Sequence, residues 1–225
     1  LPTGHLEHLY YGRKIKINKD TIEAIVEKRA FADGNTNYYD NEHKNIGLEN
    51  IKLELSSYGK GDIRESSIDI VFEDGSFTTD FIFHDYKINQ QKTEIDDLPT
   101  AYDEDNIGME LKITLKEKYH DVYLYLYYYV FKDCDVITRR ISLENKTTSE
   151  IKIKKIMSLQ LDFDDHQYIL STFNGAWARE MNRNDFKLTS GKHVNSSFCG
   201  VSSSRSNPFI MLRREHTSED FGEAY

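Results

Sequence analysis

Three prolines and twelve glycines are few for 225 residues. That scarcity excludes a collagen-like, linker-like or low-complexity chain. Two cysteines, Cys134 and Cys199, are too few for a disulfide framework, so the fold must rest on a core. Free thiols at both positions fit a reducing, cytoplasmic setting. No apolar run approaches the roughly 18 residues needed to span a membrane, and no signal peptide is visible. Basic excess is also missing. The formal net charge is -9, which argues against a nucleic-acid partner. Lys152, Lys154 and Lys155 cluster, but alternation puts them mostly on the solvent side of one strand.

Aromatic and β-branched residues are what the chain has instead. Fifteen Tyr and twelve Phe raise the area that a modest apolar fraction can bury. They concentrate between Asp121 and Phe163, which reads as three long antiparallel strands in a meander. Further strands are expected at 6–12, 50–56, 67–73, 77–87, 108–115, 168–173, 186–190, 196–199 and 209–213. The Asp74-Gly75 turn predicts that the third and fourth of these form a hairpin. One short helix is expected from Asp20 to Ala30, capped by Asp20 or Thr21. Residues 31–47 read as a long loop. The fold class is therefore all-β: two packed, mostly antiparallel sheets with at most one or two short helices.

Chemical signals are sparse. No Gly-rich phosphate loop and no nucleophile elbow occurs. Asp164, Asp165 and His166 read as a solvated turn before a metal cluster, and no metal or cofactor is expected. Cys199 lacks a neighbouring base and reads as a small buried residue. The sequons Asn145-Lys146-Thr147 and Asn195-Ser196-Ser197 read as turns. Gly61-Asp62-Ile63-Arg64-Glu65 puts two carboxylates and a guanidinium in one turn. Such a group could hydrogen-bond sugar hydroxyls, or it could be a self-satisfied ion pair that orders a loop. Trp177, the only tryptophan, could present its face to a sugar ring or lie in the core. Glycoside hydrolysis needs a pair of carboxylates, and among 38 acidic residues no pair stands out.

Several stretches together, in order, resemble the N-terminal domain of the family 36 α-galactosidases. They are His8-Leu9-Tyr10-Tyr11-Gly12, Gly61-Asp62-Ile63-Arg64-Glu65, Asp97-Leu98-Pro99, Asp135-Val136-Ile137-Thr138-Arg139, Leu161-Asp162, Gly175-Ala176-Trp177-Ala178-Arg179-Glu180, Ser202-Ser203, Asn207-Pro208-Phe209 and Gly222-Glu223. The resemblance implies a single β-supersandwich domain over residues 1–225, trimmed at both ends, that precedes a (β/α)8 barrel. In that family both catalytic aspartates belong to the barrel, so no catalytic residue is expected in this chain. It further implies a retaining enzyme that hydrolyses terminal α-linked galactose in melibiose- or raffinose-type sugars. The partners implied are the chain's own catalytic barrel, neighbouring subunits and the galactoside. Asp62, Arg64, Trp177 and Arg179 become the candidates for lining the substrate pocket or an interface. The sequence departs from the family pattern at Ile63, Ser66, Cys199 and Ser204, where the family has Phe, Pro, Arg and His.

Overall fold

The structure, a computed structural model, describes residues 1–26, 37–95, 98–105, 107–165, 167–197, 205–222 and 224–225. His166, Cys199, Ser204, Asp97, Glu223 and the Ser202-Ser203 pair lie outside the described residues, as do residues 27–30 of the expected helix and 31–36 of the expected loop. The chain divides into two compact units, Leu1–Asp162 and Phe163–Tyr225. Antiparallel sheets dominate, with one short α-helix among the described residues, so the all-β class holds.

The first unit is organised by four consecutive strands, β2 (Phe81–Asn89), β3 (Met109–Glu117), β4 (Val122–Val130) and β5 (Ile137–Asn145), paired in chain order. Alternation along β4 sends Val122, Leu124 and Leu126 to one face, where all three are buried. Against them pack Leu115 of β3, Phe81 of β2, Ile68 and Ile70 of a second sheet, and Phe72 just beyond it. Burial of each such side chain stabilises by about 1.5–3 kcal/mol. Tyr123, Tyr125, Tyr127 and Tyr129 face the other way, while Tyr128 packs on the core side. Lys112 lies 3.9 Å from the Tyr125 ring centroid, and Arg140 lies 3.5 Å from that of Tyr127. The aromatic face is thus roofed by cations from the flanking strands.

The second sheet pairs β1 (Ile68–Val71) with β6 (Lys152–Ile156). This corrects the expected meander: β4 and β5 do pair, but β6 leaves their sheet. It also corrects the expected hairpin. The turn at 73–76 forms, with Gly75 at φ 83° and its amide on the Phe72 carbonyl (3.0 Å). That turn passes the chain from β1 in one sheet to β2 in the other. A turn signal reports reversal, not which strand becomes the hydrogen-bonding partner.

Two further strands shrink to isolated bridges, because Glu7 meets Leu53 in a single antiparallel bridge. The alternation read at 50–56 is still real as burial, for Ile51, Leu53 and Leu55 all point inward. Ile51 and Leu53 join Tyr39, Ile46 and Leu48 in a smaller second core. The helix α1 runs Lys19–Ile25, and its cap is Asn18 rather than Asp20 or Thr21. Asn18 Oδ1 accepts from the Thr21 amide at 2.8 Å, which satisfies one orphan donor of the first turn.

The second unit is a three-stranded sheet with β7 (Ile169–Ala176) between β8 (Arg179–Lys187) and β9 (Ser206–Arg213). The expected strand at 186–190 thus begins earlier, as β8. No strand forms at Ser196-Ser197, the described part of the segment expected at 196–199. Phe163, Tyr168 and Tyr225 cluster at one end in tilted and edge-to-face contacts, with centroids 5.4 to 6.2 Å apart. No helix among the described residues is long and apolar enough to cross a membrane.

Candidate functional site

Asp62 and Arg64 sit in the first unit, on a tight turn closed by an antiparallel bridge between Gly59 and Asp62. Gly59, Lys60 and Gly61 all take positive φ, at 99°, 59° and 80°. A Cβ on Gly59 would fall 2.5 Å from the Thr78 side chain, so both the backbone and the space demand glycine there.

The turn is held from inside. The Asp62 carboxylate, 1% exposed, accepts from the Arg64 amide (3.1 Å), Arg64 Nε (2.9 Å), Arg64 Nη2 (3.0 Å) and the Ser56 hydroxyl (2.5 Å). Arg64 Nη1 also donates to the Ile51 carbonyl and to Asp162 (2.9 Å), and Nη2 donates to the Leu48 carbonyl (3.0 Å). All five guanidinium N–H groups are therefore used within the unit. The self-satisfied, loop-ordering arrangement is the one observed. Asp162 and the two carbonyls over the smaller core are members that spacing could not reveal. Ser66 donates its hydroxyl to Asp69. Ile63, between the two clamp residues, points out at 79% exposure.

Trp177 and Arg179 belong to the second unit, on the hairpin between β7 and β8. Trp177 is 90% exposed, so the core alternative does not hold. Ala176 pairs with Arg179, leaving Trp177-Ala178 as a two-residue loop. Ala178 (φ 61°) and Met181 (φ 60°) both take the left-handed region, which costs a non-glycine residue about 1 kcal/mol or more each. Between the pairs Asn174–Asn182 and Ala176–Arg179, Gly175 alone opposes Glu180 and Met181, which is a bulge. A Cβ on Gly175 would meet the Arg179 carbonyl at 2.4 Å. Asn182 Nδ2 donates to that carbonyl (2.7 Å), and the Ala178 amide donates to Glu180 (3.0 Å). These contacts hold the backbone, and the indole projects beyond it.

The sheet behind the hairpin is cross-linked by Asp185. Its carboxylate accepts from Arg183 (2.8 Å), Ser171 (2.5 Å) and Arg213 (2.8 Å). The Arg183 guanidinium first, then Ser171, hold it far below the usual carboxylate range. In the first unit burial opposes ionisation of Asp80, but His5 (3.0 Å) and the Tyr39 hydroxyl (2.8 Å) outweigh it and lower its pKa. An open groove of about 770 Å³ in the second unit is lined by Tyr168, Ile169, Leu188, Arg214, His216 and Phe221. Its Arg214 is already engaged by Asp165 (2.7 Å) and by the Tyr168 ring, 4.0 Å to the centroid. Asp164 and Asp165 form no group of three metal-type ligands among the described residues.

Known proteins match this chain along nearly its whole length. The family model described as "Glycosyl hydrolase family 36 N-terminal domain" matches residues 4–225. The bifunctional α-galactosidase/sucrose kinase AgaSK of Mediterraneibacter gnavus is 31% identical over 224 residues, covering 100% of this chain and 24% of that protein. The α-galactosidase AgaA of Geobacillus stearothermophilus is 29% identical over 224 residues, 99% of this chain and 30% of that protein. The crystal structure of an AgaA variant in complex with raffinose superposes with a TM-score of 0.92 at 27% identity. It covers 100% of this chain and 31% of that one. The chain thus spans about a quarter to a third of the length of the relatives it matches.

Proposed function

Because the chain belongs to the glycosyl hydrolase family 36 N-terminal domain family, we propose that it is the non-catalytic domain of a retaining α-galactosidase. The intact enzyme hydrolyses terminal α-linked galactose in melibiose- or raffinose-type sugars, in the cytoplasm and as an oligomer. The domain packs on its own catalytic barrel and on neighbouring subunits. There Asp62, Arg64, Trp177 and Arg179 line the substrate pocket or an interface. The observation that carries this reading is the family match over residues 4–225. The exposed Trp177 supports its second half, since a 90% exposed indole on a braced hairpin has its apolar face to offer to a sugar ring or a partner.

The test is turnover of an aryl α-galactoside by the full reading frame and by this chain alone. The reading expects hydrolysis by the first and none by the second; turnover by the chain alone contradicts it. Trp177 also favours a second reading, a carbohydrate-binding module. Calorimetry of the chain with galactose and raffinose separates the two. Millimolar or tighter binding that disappears in Trp177→Ala supports a module, and no heat at high sugar concentration opposes it.

A further inference from the structure

We propose that the N-terminal strap, residues 1–5, and the smaller core, residues 39–51, open together as one flap from the edge of the four-stranded sheet, and that the buried Asp80 carboxylate is the latch that couples them. Asp80 stands just before β2 and is 1% exposed. Segments far apart in the chain meet on it. His5 Nε2 lies 3.0 Å from Oδ1, and the Tyr39 hydroxyl donates to Oδ2 at 2.8 Å. Lys118 Nζ donates to the same hydroxyl (3.2 Å), and Lys60 Nζ lies 3.8 Å from Oδ2. Thr3 Oγ1 extends the chain of polar contacts to His5 Nδ1, at 2.9 Å. His5 and Tyr39 also touch each other edge to face, with ring centroids 5.1 Å apart.

The two halves of the flap depend on this point in different ways. The strap lies along β2, the edge strand of its sheet, and the Gly4 carbonyl accepts from the Phe83 amide (2.8 Å). It thereby covers a donor that an open edge would leave unpaired. Leu6, packed against the larger core, and the Glu7–Leu53 bridge mark where the strap becomes fixed. The smaller core holds itself together. Residues 39–46 close on themselves through the Tyr39 amide and the Ile46 carbonyl (2.8 Å), and Leu1 of the strap packs against its cluster. Its regular structure is a single turn of 3-10 helix, Leu48–Asn50, with no strand ladder. Segments with few backbone bonds and a small apolar cluster belong to the low-stability end of a protein, where local opening occurs.

Sharing one carboxylate makes the openings concerted. A buried charge is tolerated only while its partners are in place. Removing Tyr39 leaves one oxygen of Asp80 unsatisfied, and the water that relieves it displaces His5 from the other. Removing His5 does the same to Tyr39. The coupling is reciprocal, as any coupling free energy must be. It does not depend on the α-galactosidase reading.

The experiment is native-state hydrogen exchange on the full reading frame, comparing the unmodified protein with Tyr39→Phe and His5→Ala. The Phe83 amide reports the strap, the Tyr39 and Ile46 amides report the smaller core, and the amides of β4 serve as the control. Tyr39→Phe keeps the ring and deletes only the hydroxyl. It is expected to speed exchange at Phe83 about ten-fold, alongside residues 39 and 46, with β4 unchanged. His5→Ala is expected to speed exchange at residues 39 and 46 by a similar factor. In the unmodified protein, low urea should bring the three reporters to one shared slope and one opening free energy below that of β4, which needs no variant at all. Faster exchange confined to the mutated half, equal acceleration in β4, no acceleration, or distinct urea slopes for Phe83 and Ile46 each overturn the proposal.

Discussion

The Gly59–Glu65 turn and the Gly175–Met181 hairpin present opposite solutions to one problem, that of holding a side chain in solvent. The turn does it with charge. Asp62 and Arg64 are consumed in a network that reaches Ser56, Leu48, Ile51 and Asp162. The hairpin does it with backbone. A bulge, two left-handed residues and a glycine pressed against the Arg179 carbonyl aim Trp177 outward. In sequence both stretches show a charged pair beside a large apolar residue, and they look equivalent. In the structure the charges are the scaffold of one, and the aromatic is the payload of the other.

Arg64→Ala is the hardest blow to this contrast. It leaves the Asp62 carboxylate buried beside two orphaned carbonyls, and unfolding in urea is expected to show a loss of about 3 kcal/mol or more. Gly175→Ala attacks the hairpin instead. The new methyl has no room, so the loss is about 1–3 kcal/mol by the same measurement, even though the side chain added is the smallest available.

Acid separates the units by a different route. Asp185 and Asp80 both have native pKa values below the unfolded value of about 3.9. A depressed carboxylate stabilises the native state above the unfolded pKa, and that stabilisation is lost as pH falls through the range down to the native value. Thermal midpoints are therefore expected to drop as pH is lowered from about 5, and Asp185→Asn should flatten part of that drop. A pH profile that Asp185→Asn does not change would remove the carboxylate from the account of the second unit. Ile63→Ser is the mildest change for the fold, within about 0.5 kcal/mol, because the side chain is outside the core.

Much of the architecture was readable locally. The alternation of Val122, Leu124 and Leu126 against Tyr123, Tyr125 and Tyr127 gives β4, and with it the core face. Pairing was less readable. β6 has the composition of a third meander strand, yet it pairs with β1 from far earlier in the chain, since alternation fixes a face and not a partner. Asn18 as the helix cap sits two positions before Asp20, within the usual uncertainty of helix ends. At the site, the residue types were visible and their direction was not. Exposure of Trp177 depends on a bulge opposite Gly175, and closure of the Asp62 network depends on Asp162, which the chain reaches only after β6. The second is a long-range fact that a window of neighbouring residues does not carry; the first is local but set by backbone conformation rather than by residue type.

Trp177→Ala in the full reading frame tests the contrast most directly, with the unfolding midpoint, KM for raffinose and subunit number measured on one preparation. An outward payload predicts an unchanged midpoint together with a raised KM or an altered subunit number. A lowered midpoint, with KM and subunit number both intact, would make Trp177 a packing residue and contradict the account.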